Sequence, residues 1–175
     1  MGIIGAILGV IIFLFALAWT QGLFGDATSK LDEATTFELV NRLRANVKES
    51  FFGQATYGAS DTNLAPLLTG MGKVPASARG PTDTIVSPYG GAILVYGRGR
   101  RFHISVEDLE PEQCLKLGSR FAGASGSQFG VINIEVGTAA DTSVNQAAPA
   151  TVAVTAVDTA CGGTGPVNHL TITFR

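Results

Sequence analysis

The stretch MGIIGAILGVIIFLFALAW, Met1 to Trp19, holds no charged residue, and the first charge after it is Asp26. About 20 such residues, rising 1.5 Å each as a helix, match a bilayer core of roughly 30 Å. The next stretch is of a different kind. Leu31, Ala34, Phe37, Val40, Leu43, Val47 and Phe51 recur every three or four residues, with Lys30, Asp32, Glu33, Glu38, Arg42, Arg44, Lys48 and Glu49 off that stripe. An apolar helix that continues as an amphipathic one divides the chain into a long helix over 1–53 and a head over 54–175. The helix has an apolar half, 1–25, and an amphipathic half, 26–53.

Three readings compete for the apolar half. A cleavable signal is suggested by the small-x-small triplet Ala16-Leu17-Ala18, but no Lys or Arg precedes the apolar run. A plain membrane anchor needs only the hydrophobicity, with Trp19 suited to the headgroup level. A helix packing against copies of itself is suggested by Gly2, Gly5 and Gly9, which share one face and include a GxxxG step that lets backbones approach. Ile3, Ile7, Leu8, Ile11 and Phe15 complete a surface apolar all round, which must be buried in lipid or in protein. Gly22 and Gly25 bracket Leu23 and Phe24 and mark a segment where the helix is expected to stretch or melt, because glycine is a poor helix former.

In the head, Pro66, Pro75, Pro81 and Pro88 punctuate a loop-rich region, with a helical turn expected within Asn63 to Leu68. Ala92 to Tyr96 and Arg101 to Val106 read as strands. In the second, Phe102, Ile104 and Val106 alternate with Arg101, His103 and Ser105, and Gly97-Arg98-Gly99-Arg100 forms the hairpin turn between the two. Pro111 opens a helix carrying Cys114, Leu115 and Leu117. Phe129 to Val136, Ala150 to Val157 and His169 to Phe174 are the remaining predicted strands, with a polar loop from Gly137 to Pro149 between the first two. The expected fold class is α+β: a long N-terminal helix on an antiparallel sheet, one face of which the amphipathic half covers.

Composition agrees with a part-membrane, turn-rich chain. Among 175 residues, 46% are hydrophobic and only 15% charged, and the 22 glycines add to the bias. The formal charge of −2 provides no global field toward nucleic acid, so direct DNA binding is not expected of the chain as a whole. Cys114 and Cys161 lack zinc-site spacing; one long-range disulfide is the economical reading, with two buried thiols as the competing one.

In this order, the pieces resemble the type IV pilins, specifically the type IVb pilins of conjugative thin pili and their relatives. The resemblance is carried by the uncharged helix running into an amphipathic one and by Asn41 to Phe51 leading to Gly53-Gln54-Ala55-Thr56-Tyr57-Gly58. It continues through Gly72-Lys73-Val74-Pro75, Tyr89-Gly90-Gly91, the two distant cysteines and the closing Asn168-His169-Leu170-Thr171-Ile172-Thr173-Phe174. It implies a prepilin cut by a peptidase at the inner membrane and extracted by assembly machinery into a helical homopolymer, with Met1 as the first mature residue. It also implies a Cys114–Cys161 bridge closing a surface region near the C-terminus. Most such pilins carry glutamate at the fifth mature position, where this chain has Gly5. Buried ion pairs set register more than they stabilise, so the glycine face would have to set register by packing.

The resulting expectation is a major structural subunit of a type IVb filament for attachment or mating-pair stabilisation, without catalysis or cofactor. A minor pseudopilin, or a membrane-anchored partner-binding subunit of a secretion system, is the alternative. Arg98, Arg100 and Arg101, with Arg79 and Arg120 as candidate additions, form a basic patch that would suit DNA, a recipient-cell receptor or a neighbouring subunit. A solvated turn is the competing reading. Cys114 with His103 or His169 has the residue types of a thiol hydrolase, but no nucleophile motif surrounds them. Gly97-Arg98-Gly99 lacks the remaining glycines and the helix start of a phosphate loop.

Overall fold

The computed structural model describes residues 31–123, 128–139, 142–146, 153–163 and 168–175. The expectations placed on residues 1–25, including the Gly2, Gly5 and Gly9 face and the Gly22–Gly25 segment, lie outside the described residues. Among the described residues, no helix is long and apolar enough to cross a membrane.

Helix α1 spans residues 31–50 and ends in a turn through Gly53. Its buried stripe runs through Thr36, Leu39, Val40, Leu43 and Val47, while Leu31 and Ala34, expected on that stripe, are exposed. Before Thr36 the head is met through the polar flank at Glu33, and the fully buried positions start at Thr36, so the stripe begins later than its periodicity suggests. Full burial of Val40, Leu43 and Val47 contributes about 1.5–3 kcal/mol each.

Beneath α1 lies an antiparallel sheet of β1 (Thr62–Asn63), β2 (Ile85–Val86), β3 (Ala92–Arg98), β4 (Arg101–Leu109), β5 (Val131–Gly137) and β6 (Asn168–Phe174). The order is β1-β3-β4-β6-β5, with β2 also pairing β3. The last strand is therefore central rather than peripheral. Its pairs with β4 set Phe102 opposite Phe174, Ile104 opposite Ile172 and Val106 opposite Leu170, all fully buried in the core that this face of the sheet shares with α1 and with the helix over Pro111–Phe121. Aromatic rings tie both ends of α1 to the head. Phe37 meets Phe121 at 4.9 Å and Phe129 at 5.8 Å, and Phe51 reaches Tyr57 at 5.4 Å, which touches Phe102 at 4.9 Å.

The β3–β4 hairpin forms as expected, with strands longer than the apolar runs alone suggest and Gly99, at φ 57°, supplying the left-handed residue of its turn. In β4 the alternation has a further consequence: His103 and Ser105, on the face away from α1, are as fully buried as Phe102. Thr171 Oγ1 donates to Ser105 Oγ at 3.0 Å within that polar layer. Residues 142–146 help to cover it, because Asn145 donates to Glu135 Oε1 on β5 at 2.7 Å and accepts from Arg101 on β4 at 3.1 Å. Beyond Val106 the β4–β6 register shifts, with Asp108 at φ 57°. Gly91 packs so closely there that a Cβ would lie 2.0 Å from the Glu107 carbonyl oxygen.

Helix α2 (Ala65–Gly70) realises the turn expected near Leu68. Helix α3 (Pro111–Phe121) starts with proline in its first turn and a capping box in which Gln113 accepts from the Glu110 N–H at 3.0 Å. One expectation fails. Residues from Val154 belong not to a strand but to helix α4 (Val154–Gly163), which packs on α3; residues 150–152 lie outside the described set. Val157 and Cys161 are its buried positions, four apart and hence on one helical face.

Candidate functional site

Cys114 and Cys161 are disulfide-bonded, with Cα atoms 5.8 Å apart, so the bridge fastens α3 to α4. Both cysteines are buried, as are Leu117 and Phe121 on the same face of α3. The helical spacing of Cys114, Leu117 and Phe121 points the bridge and the phenyl ring toward the sheet and α4. His103 and His169 lie on the sheet, His169 with Nδ1 4.0 Å from Glu107 Oε1. Burial raises the Glu107 carboxyl above its usual range, the nearby His169 opposes this, and Asp108 adds to it. Among the described residues, no group of three His, Cys, Asp or Glu side chains is arranged to hold a metal ion.

Polar contacts join α1 to the head along its flanks. Arg120 of α3 pairs with Glu33 at 2.8 Å and lies over the Phe37 ring at 5.1 Å. Arg44 lies over Phe129 at 5.2 Å and donates to the Phe129 carbonyl. On the other flank Asn46 donates to the Lys73 carbonyl at 2.6 Å, and Lys73 pairs with Glu49 at 2.7 Å. Tyr89 sits beside the Glu33 end of α1. Its hydroxyl is pushed up to about 12, first by burial and then by the charges of Glu33 and Asp32, against the lowering effect of Arg120. Between α1 and the 75–88 loop is a cavity of about 370 Å³ lined by Leu39, Pro75, Ala78, Val86, Ser87 and Pro88, with Glu38 and Arg42 also lining it.

The arginine run is split by the fold. Arg98 pairs with Asp61 at 3.5 Å, and Asp61 also accepts the Val144 N–H at 2.9 Å. Arg101 is committed to the Asn145 carbonyl. Arg79 donates to the Val74 carbonyl at 2.9 Å and Arg120 pairs with Glu33, so neither joins the patch. Arg100 instead shares a cleft with Arg175, a grouping that the sequence hides because the two lie so far apart along the chain.

Residues of this chain match one family model, PilS (PilS N terminal), over 30–175. Among curated proteins, none matches the chain in sequence. Among solved structures, the crystal structure of TcpA, a type IV pilin from Vibrio cholerae El Tor biotype, is similar with a TM-score of 0.58 at 20% identity. The match covers 83% of this chain and 99% of that one. This likeness supports the helix-on-antiparallel-sheet fold, and the family match spans the whole described region. The chain belongs to the PilS family and is a type IV pilin of the type IVb class.

Proposed function

We propose that the chain is the major structural subunit of a type IVb pilus filament, serving attachment or mating-pair stabilisation in conjugation. In this reading residues 1–25 hold the subunit in the inner membrane and then form the filament core, with the Gly2, Gly5 and Gly9 face in helix contact. The pilus assembly machinery moves it from one setting to the other, and the head faces outward on the cell surface, where a recipient-cell receptor would meet it.

The observation that carries this reading is the one-sided use of α1. Its inner face is buried on the sheet, yet Leu31 is 66% exposed and Phe52, just past its end, is 90% exposed. Leu67 and Met71 at α2 and Val154 on α4 are likewise exposed large apolar residues. Leu31 and Phe52, left outside the core at the two ends of α1, suit contact with further copies in a homopolymer.

Shearing surface appendages from cells, imaging them and identifying their dominant protein by mass tests the proposal. A major subunit predominates in filaments; a chain recovered only in trace amounts, or only in membranes, would be a minor pseudopilin or an anchored partner-binding subunit instead.

A further inference from the structure

At one end of the sheet, where β4 begins and the chain leaves β6, a half-open cleft of about 340 Å³ is lined by Phe51, Gln54, Thr56, Tyr57, Arg100 and Arg175. Its volume is within the range of small-molecule sites. Three features give it chemical character. The Arg100 and Arg175 side chains form no ion pair or hydrogen bond among the described residues, in contrast to Arg98 and Arg101. No carboxylate side chain lines the cleft. The amide of Gln54 and the hydroxyl of Thr56 add neutral donors and acceptors beside the two cations.

The backbone beneath these groups is fixed. Tyr57 donates its N–H to the Gly99 carbonyl at 2.7 Å and Gly99 donates to the Gly58 carbonyl at 2.8 Å, so the loop after α1 is clipped to the turn that carries Arg100. Arg175 donates its N–H to the Gly130 carbonyl at 3.1 Å. Guanidiniums on fixed backbone, with no carboxylate side chain to satisfy them, favour an anionic ligand through bidentate hydrogen bonds.

Tyr57 is partly buried and already held in ring contacts with Phe51 and Phe102, at centroid distances of 5.4 and 4.9 Å, so it belongs to the aromatic cluster of the head. A saccharide needs hydroxyl partners, an apolar edge and, if acidic, a cation. We infer that this cleft binds an anionic sugar unit, its carboxylate or phosphate held by Arg100 and Arg175 and its hydroxyls by Gln54 and Thr56. Its cell-surface setting rests on the filament proposal, but binding by the isolated subunit does not. Repetition along a filament would turn a weak single site into useful avidity.

The test is calorimetric titration of the full-length chain in detergent with galacturonic acid trisaccharide, glucose 6-phosphate, a neutral galactose trisaccharide and a single-stranded oligonucleotide. Binding of either anionic sugar without the neutral one supports the inference and tells whether carboxylate or phosphate is preferred. Arg100→Ala and Arg175→Ala should each weaken that binding at least tenfold, while Arg98→Ala, whose guanidinium is engaged by Asp61, should leave it within twofold. Failure of both anionic sugars to bind, equal binding of the neutral sugar or oligonucleotide, or indifference to Arg100→Ala would overturn it. Sugar binding by the solubilised subunit that vanishes in sheared filaments would overturn the cell-surface setting and its avidity, because a neighbouring subunit would then own the cleft. Absence of filaments with sugar binding intact would count against the filament proposal alone.

Discussion

Replacing both Cys114 and Cys161 with alanine should destabilise the head by about 4 kcal/mol, since the bond spans 47 residues of chain and its removal restores the loop-closure entropy of the unfolded state. At this chain length each kcal/mol moves the melting temperature by roughly 2–4 °C, so a fall of roughly 8–16 °C is expected. The effect should be largest at α4. Besides Cys161, Val157 is the only other buried residue of that helix, and three of its first four residues are exposed. Thermal unfolding followed by near-ultraviolet circular dichroism, with and without reductant, measures the global term. Hydrogen exchange across residues 153–163 measures the local one. Because reduction leaves both sulfurs in place, it isolates the cross-link from the packing lost in the alanine variant. A melting temperature lowered by less than about 2 °C, together with unchanged exchange in α4, would refute the reasoning and show that packing alone holds α4 on α3.

Leu43→Ala, at a fully buried position on the inner face of α1, should cost about 2–5 kcal/mol in a denaturant titration. Gly91→Ala forces a Cβ to within 2.0 Å of the Glu107 carbonyl oxygen, so the Asp108 bulge must shift; a loss of about 1–3 kcal/mol is expected, and wild-type stability would show that the loop yields freely. Tyr89 predicts an alkaline effect. Its folded-state value of about 12 lies above the ordinary phenol value near 10, so the stability from its neutral form is present below about pH 10 and lost as pH rises toward 12. Tyr89→Phe should flatten that part of the stability profile, and an unchanged alkaline slope would assign it to other groups.

How much of the fold is legible in the sequence depends on whether local pattern and tertiary context agree. In β4 and β6 they do: Phe102, Ile104 and Val106, and Leu170, Ile172 and Phe174, alternate with His103, Ser105, Thr171 and Thr173 because one face joins the apolar core and the other forms a buried polar layer. In α4 they do not. Thr151, Val152, Val154, Thr155 and Val157 are β-branched and read as strand, yet Val157 and Cys161 are both turned toward α3, where the bridge to Cys114 holds them. The i, i+4 spacing of Val157 and Cys161 is the available helical signal, and it has meaning only once Cys161 is known to be bonded. The two-residue strands β1 and β2 leave no periodicity to read, because their place is set by pairing with β3.

The basic patch shows the same limit at the level of the site. Adjacency along the chain makes Arg98, Arg100 and Arg101 one cluster, but neighbours on a strand point to opposite faces and a turn redirects whatever it carries. Arg98 is drawn to Asp61, and Arg101 lies on the outer face with His103, where residues 142–146 meet it. Only Arg100, carried by the turn that Gly99 makes possible, is released from both. Its functional neighbour, Arg175, is brought alongside by the insertion of β6 between β4 and β5, a strand order that no local motif encodes. The cleft therefore exists because the last strand is central, and any substitution that weakens the β4–β6 pairing should disperse its two cations before it alters either one.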